Sequence, residues 1–110
     1  MKKSFLYKGL LEPIILQLLK DNHRMYGFEI SQKVKLLTKD ELQITEGALY
    51  PLLHRLEAEG LLEVEMENIG NRIRKYYSLT QAGKKETAGS LNEVQTFVKT
   101  LELLFNPKLA

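Results

Sequence analysis

The chain has 110 residues, 44% of them hydrophobic and 27% charged, with a net charge of +2. That length makes one domain with a small core, and the absence of cysteine excludes a disulfide framework, a thiol nucleophile and a cysteine-based metal site. No apolar run approaches the roughly 20 residues of a membrane span, and the N-terminal lysines precede no secretory h-region, so a cytoplasmic protein is expected.

Residues 1–20 carry Phe5, Leu6, Leu10, Leu11, Ile14, Ile15, Leu18 and Leu19 at helical spacing. Pro13 either stands in the first turn of this helix or kinks a longer one. The stripe is broad, so Leu6 and Leu10 can face a partner subunit. A turn at 21–24 leads to a second helix opening near Tyr26-Gly27. Ile30, Val34 and Leu37 make its core line, while Lys33 and Lys35 point outward, towards a phosphate backbone or simply towards solvent. In the polar loop at 38–44, the alternation of Leu42 and Ile44 allows a very short strand.

The stretch 43–62, QITEGALYPLLHRLEAEGLL, reads as one helix with two unlike faces. Leu49, Leu52, Leu53 and Leu56 follow the i, i+3, i+4, i+7 rule of a buried stripe. The opposite face carries Gly47, Tyr50, Pro51 and His54, with Ala48 and Arg55 at its edges. It is slim, and it holds a phenol, an imidazole and a guanidinium where a surface helix usually carries Glu and Lys. Thr45 fits an N-cap, and Gly60 ends the helix at C′. Arg55 can reach outward or pair with Glu59 at i+4.

Leu62, Val64 and Met66 then alternate with Glu63, Glu65 and Glu67, the period of a half-buried strand. Asn68-Ile69-Gly70-Asn71 is a turn signal. Ile73, Lys75, Tyr77 and Leu79 continue in phase, making a hairpin whose tip carries Asn71, Arg72 and Arg74, with Lys75 close behind. Thr80 can cap a last helix over about 81–105, polar between 83 and 90. Its Leu91, Val94, Val98, Leu101 and Phe105 recur at coiled-coil spacing. Three helices and a hairpin already close a small core, so this seam suits the same helix of a second subunit.

Helix, helix, turn, helix, hairpin, long helix is a winged helix-turn-helix. The expected fold is α+β, mostly α, with residues 1–80 as a DNA-binding domain and 81–110 as a dimerisation helix. A major groove about 12 Å wide accepts a helix with a slim leading face; Gly47, Ala48 and Pro51 provide one, and Tyr50, His54 and Arg55 provide donors. Arg72, Arg74 and Lys75 are the phosphate candidates. Two isolated histidines, no Gly-rich phosphate loop and no paired carboxylates give no case for an enzyme, a metal or a cofactor.

YGFEI at 26–30, EGALYPLLHRLEAEGLL at 46–62 and RKYYSLTQAG at 74–83 resemble the PadR family of bacterial transcriptional regulators, the small subfamily with one C-terminal helix. The resemblance runs over about residues 10–83. It implies a homodimeric repressor on an inverted-repeat double-stranded DNA operator, often of detoxification or efflux genes. It also implies dimerisation through the last helix and a planar hydrophobic effector near it, for which Phe97 and Val94 are the candidates. Tyr26 is similar to a family tyrosine at a backbone contact. This chain departs from the family in having Met25 where histidine is frequent, and Thr45-Glu46-Gly47-Ala48 where Ser-Pro-Gly-Thr is frequent. The rival expectation is a winged helix used for protein–protein assembly, kept open by the acidic run beside the wing.

Overall fold

Pro13 falls in the first turn of a helix, where its missing N–H leaves no hydrogen bond unmade. In the computed structural model, which describes residues 8–106 and 108, a 3-10 turn at Lys8–Leu10 leads into α1 (Leu11–Asp21). Of the two alternatives at Pro13, the helix starts beside it. Phe5 and Leu6 lie outside the described residues. α1 buries Ile15, Leu16, Leu18 and Leu19. Leu16, absent from the expected stripe, is fully buried, because α1 is covered on more than one side.

α2 (Gly27–Leu37) starts where Glu29 accepts a hydrogen bond from the Tyr26 N–H, 3.1 Å. Ile30 and Val34 enter the core, but Leu37 does not: it is 62% exposed, at the last position of the helix. The short strand allowed at Leu42–Ile44 does not form. Ile44 is buried and Leu42 packs against the core from irregular backbone. The hairpin finds its third partner elsewhere, in a one-residue bridge between Met25 and Tyr77 with N–H···O distances of 3.0 and 2.8 Å.

α3 (Glu46–Ala58) is shorter than 43–62 at both ends. Thr45 Oγ1 accepts the Ala48 N–H at 3.2 Å, the expected cap. Leu49, Leu53 and Leu56 are buried and Leu52 partly so. Beyond Glu59 the chain reverses at Gly60 (φ 80°), with Leu61 N–H on Leu56 O and Gly60 N–H on Glu57 O. Those two bonds are the Schellman pattern, which places glycine at C′.

β1 (Leu62–Ile69) and β2 (Arg72–Leu79) pair antiparallel from Leu62 opposite Leu79 to Ile69 opposite Arg72. Gly70 and Asn71 make the two-residue loop, Gly70 at φ 63°. Leu62, Tyr77 and Leu79 are buried, but Met66 and Ile73 are each 64% exposed. The alternation marks the right face, yet the outer half of the hairpin extends past the core it was expected to cover.

α4 (Gln81–Phe105) is capped by Thr80, whose Oγ1 accepts the Gly83 N–H at 3.0 Å and donates to Gly60 O at 2.6 Å. The polar stretch 83–90 is where this helix packs most tightly. Gly83 and Thr87 are buried, the Thr87 hydroxyl donates to Gly83 O, and a Cβ on Gly83 would stand 2.1 Å from Leu61 O. Small residues bring the start of the helix onto the domain. Leu91 and Val94 are half-buried against α1, with Leu101 half-buried further along; Val98 is exposed and Phe105 is 81% exposed. Among the described residues, four α-helices and a two-stranded antiparallel sheet make the fold α+β and mostly α, a winged helix-turn-helix.

Candidate nucleic-acid interface

The face of α3 opposite its leucines is open: Gly47, Tyr50, Pro51, His54 and Arg55 are exposed, and Ala48 is half-buried. The donors on it are not equally free. Tyr50 leans on α2, its ring covering Gly27 where a Cβ would meet the phenol at 2.5–2.8 Å. Arg55 Nη1 reaches Glu59 at 3.0 Å, the i+4 pair foreseen above, and Nη2 reaches Glu12 of α1 at 3.4 Å. His54 stands exposed between them.

Six expected residues surround one cleft of about 730 Å³: Tyr26, Tyr50, His54, Arg72, Arg74 and Lys75. Phe28 and Ile73, neither of them a site candidate from the sequence, also line it. Other expected residues lie elsewhere. Asn71 is exposed in the hairpin loop, Thr45 is the exposed cap of α3, and Lys33 faces a separate depression beside Arg24 and Glu29. Burial raises the Tyr77 phenol above its ordinary range, and Glu57 and Tyr50 push the same way.

Behind the cleft, two arginines and two tyrosines interleave. The Arg74 guanidinium lies 3.9 Å above the Tyr26 ring. Tyr26 meets Tyr76 edge to face, with centroids 5.5 Å apart. The Arg24 guanidinium lies 3.9 Å above Tyr76. Arg24 also pairs with Glu65 and, at 2.7 Å, with Glu67. In the sequence Arg24 is only a turn residue, since its partners are 41 and more positions away and no local pattern links them.

The profile of the "Transcriptional regulator PadR-like family" matches residues 15–89. The chain belongs to this family. Among solved structures, a transcriptional regulator from Clostridium thermocellum superposes with a TM-score of 0.83 at 29% identity, covering 90% of this chain and 96% of the other. A PadR-like transcriptional regulator from Bacillus cereus gives 0.78 at 29% identity, over 94% and 98% of the two chains. A transcriptional regulator of Mycobacterium tuberculosis is 39% identical over 63 residues, 57% of this chain and 56% of its own length. This PadR-like chain is accordingly a transcriptional regulator and not an enzyme. Among its described residues no group of His, Cys, Asp and Glu could hold a metal ion, and no helix is long and apolar enough to cross a membrane.

On the other side of this regulator, a groove of about 320 Å³ runs between α1, α2 and α4, lined by Leu10, Ile14, Leu18, Leu37, Leu91 and Val94 among others. Val94 of the effector candidates lines it, whereas Phe97 is exposed outside it.

Proposed function

We propose that this PadR-like regulator is a cytoplasmic, homodimeric repressor that binds an inverted-repeat operator, with α3 in the major groove and the hairpin as the wing. The observation that carries this reading is the single cleft between α3 and the hairpin, where Arg72, Arg74 and Lys75 face Tyr26, Tyr50 and His54. Cations fix a protein on phosphates, while donors on a slim helix reach base edges. The slim start of α3, from Thr45 through Gly47, Ala48 and Pro51, permits the approach.

Residues 1–80 form the DNA-binding unit in this reading, and 81–110 the dimerisation helix, whose first two turns are part of the core. Val98 and Phe105, exposed on α4, are covered by the second subunit, which sets the two α3 helices about 34 Å apart. In the same reading a small hydrophobic effector binds beside that seam, where Val94 of the two candidates lines the apolar groove, and the regulated genes are those of detoxification, efflux or stress. The assembly-module alternative rested on the acidic run, and Arg24 pairs with two of its carboxylates, Glu65 and Glu67.

The test is a titration of labelled DNA from the region upstream of the protein's own gene, at several salt concentrations. A preference over random sequence is expected, with log K falling by about 0.9 per log unit of salt for each phosphate contacted. Arg72→Ala should weaken binding to all sequences alike, and Tyr50→Ala should also blur specificity. Equal affinity for random DNA would sink the reading.

A further inference from the structure

The outer half of the wing has no apolar support, since Met66 and Ile73 are exposed. A two-stranded hairpin is marginal alone, so its attitude depends on what meets its base. Residues 24–26 behave there as a third strand one bridge long. Met25 pairs with Tyr77 and points into the core. By the period of two, Arg24 and Tyr26 fall on the other face, the one that carries Glu65, Glu67, Arg74 and Tyr76.

On that face Glu67 stands directly opposite Arg74 in the ladder. Opposite charges so placed normally pair. Here Glu67 pairs with Arg24 instead. Arg74 lies flat on Tyr26, with the Tyr76 hydroxyl 3.4 Å from its Nη1 and no carboxylate at ion-pair distance among the described residues. A stacked guanidinium keeps the N–H groups of its edge for a phosphate.

We propose that Arg24 is a positioning residue for DNA binding: by holding Glu65 and Glu67 and stacking on Tyr76, it keeps Arg74 free of its cross-strand carboxylate and aimed at a phosphate. The inference rests on the operator-binding reading above. Arg24 itself touches no DNA; removing it lets Glu67 take Arg74.

Two measurements test this, one without DNA. In the free protein, the Arg74 side-chain Nε–H resonance should move in Arg24→Gln and return towards its original position in Arg24→Gln/Glu67→Gln. With operator DNA, Arg24→Gln should weaken binding about tenfold and shallow the salt slope by about one phosphate, as Arg74→Gln does. Adding Glu67→Gln should restore Arg24→Gln to within about threefold and recover the slope, but should not restore Arg74→Gln. Tyr76→Phe, which keeps the ring, should bind nearly as the parent, and Tyr76→Leu should not. If Glu67→Gln leaves the Arg24→Gln loss and slope unchanged, Arg24 either contacts phosphate itself or acts only on folding, and the proposal is overturned. If the resonance responds as described while the parent shows no preference for the operator, it is the DNA reading that fails.

Discussion

The Tyr50 hydroxyl lies 2.5 Å from where a Cβ on Gly27 would stand. One side chain of α3 is therefore parked on the first residue of the preceding helix. Glycine at 27 is needed for space, not for backbone freedom. The neighbour is a ring that can swing, so Gly27→Ala should displace Tyr50 into the cleft at a modest stability cost, about 1–3 kcal/mol. Operator affinity should fall more than unfolding free energy does. A double-mutant cycle with Tyr50→Ala should give a coupling of roughly 0.5–3 kcal/mol; strictly additive changes would contradict the contact.

Gly83 meets a different obstacle. A Cβ there would stand 2.1 Å from Leu61 O and 3.1 Å from Leu61 C. Backbone held by the end of α3 cannot swing aside, so Gly83→Ala should force α4 off the domain. The expected loss is about 3 kcal/mol, a fall of roughly 10 °C or more in Tm, read by thermal unfolding. Gly89, with nothing within 4 Å of its Cβ position, should accept alanine with a small gain in helix stability.

The seam on α4 predicts the oligomeric state. Val98→Glu together with Leu101→Glu should convert a dimer to a monomer in sedimentation velocity while far-UV circular dichroism keeps its helical shape. Operator binding should weaken with it, because each half-site is then held alone. A parent protein that sediments as a monomer at micromolar concentration would remove the dimer from the proposal.

Tyr77 predicts an alkaline weakness. Burial raises its phenol in the folded state, whereas the unfolded chain ionises near the ordinary value of about 10. The unfolded state therefore loses the proton first, and the stabilisation present below about pH 10 is lost as pH rises through the folded-state value. Thermal unfolding of Tyr77→Phe should show a shallower fall of Tm above pH 10 than the parent does. Parallel curves would mean the phenol titrates alike in both states.

The elements and the family were legible because their signals are local: a leucine stripe, a Thr cap, an alternating run, and the motif residues from Tyr26 to Gly83. Six cleft residues were legible for the same reason, since one helix face and one hairpin tip carry most of them. What stayed hidden depends on distance in sequence. Arg24 meets Glu65 and Glu67 across the fold, and Met25 pairs with Tyr77, with no periodicity to announce either. The tight fit of α4 through Gly83 and Thr87 was hidden by its composition, because small and polar residues read as surface until a neighbour's backbone is placed against them.

Thr80 closes a knot: it caps α4, its N–H is bonded to Leu61 O, and its hydroxyl is bonded to Gly60 O just past the end of α3. The 25 residues of α4 extend from this knot as a lever about 37 Å long, seated on α1 as far as Val94. A tilt of about 10° between lever and knot moves the far end by roughly 6 Å. In the proposed dimer, where the far ends are joined, the same motion runs backwards: whatever wedges the two levers apart turns each α3 from its own C-terminus. In that dimer the distance between the two α3 helices is then set mechanically at Gly60, Leu61 and Thr80, none of which lines the cleft.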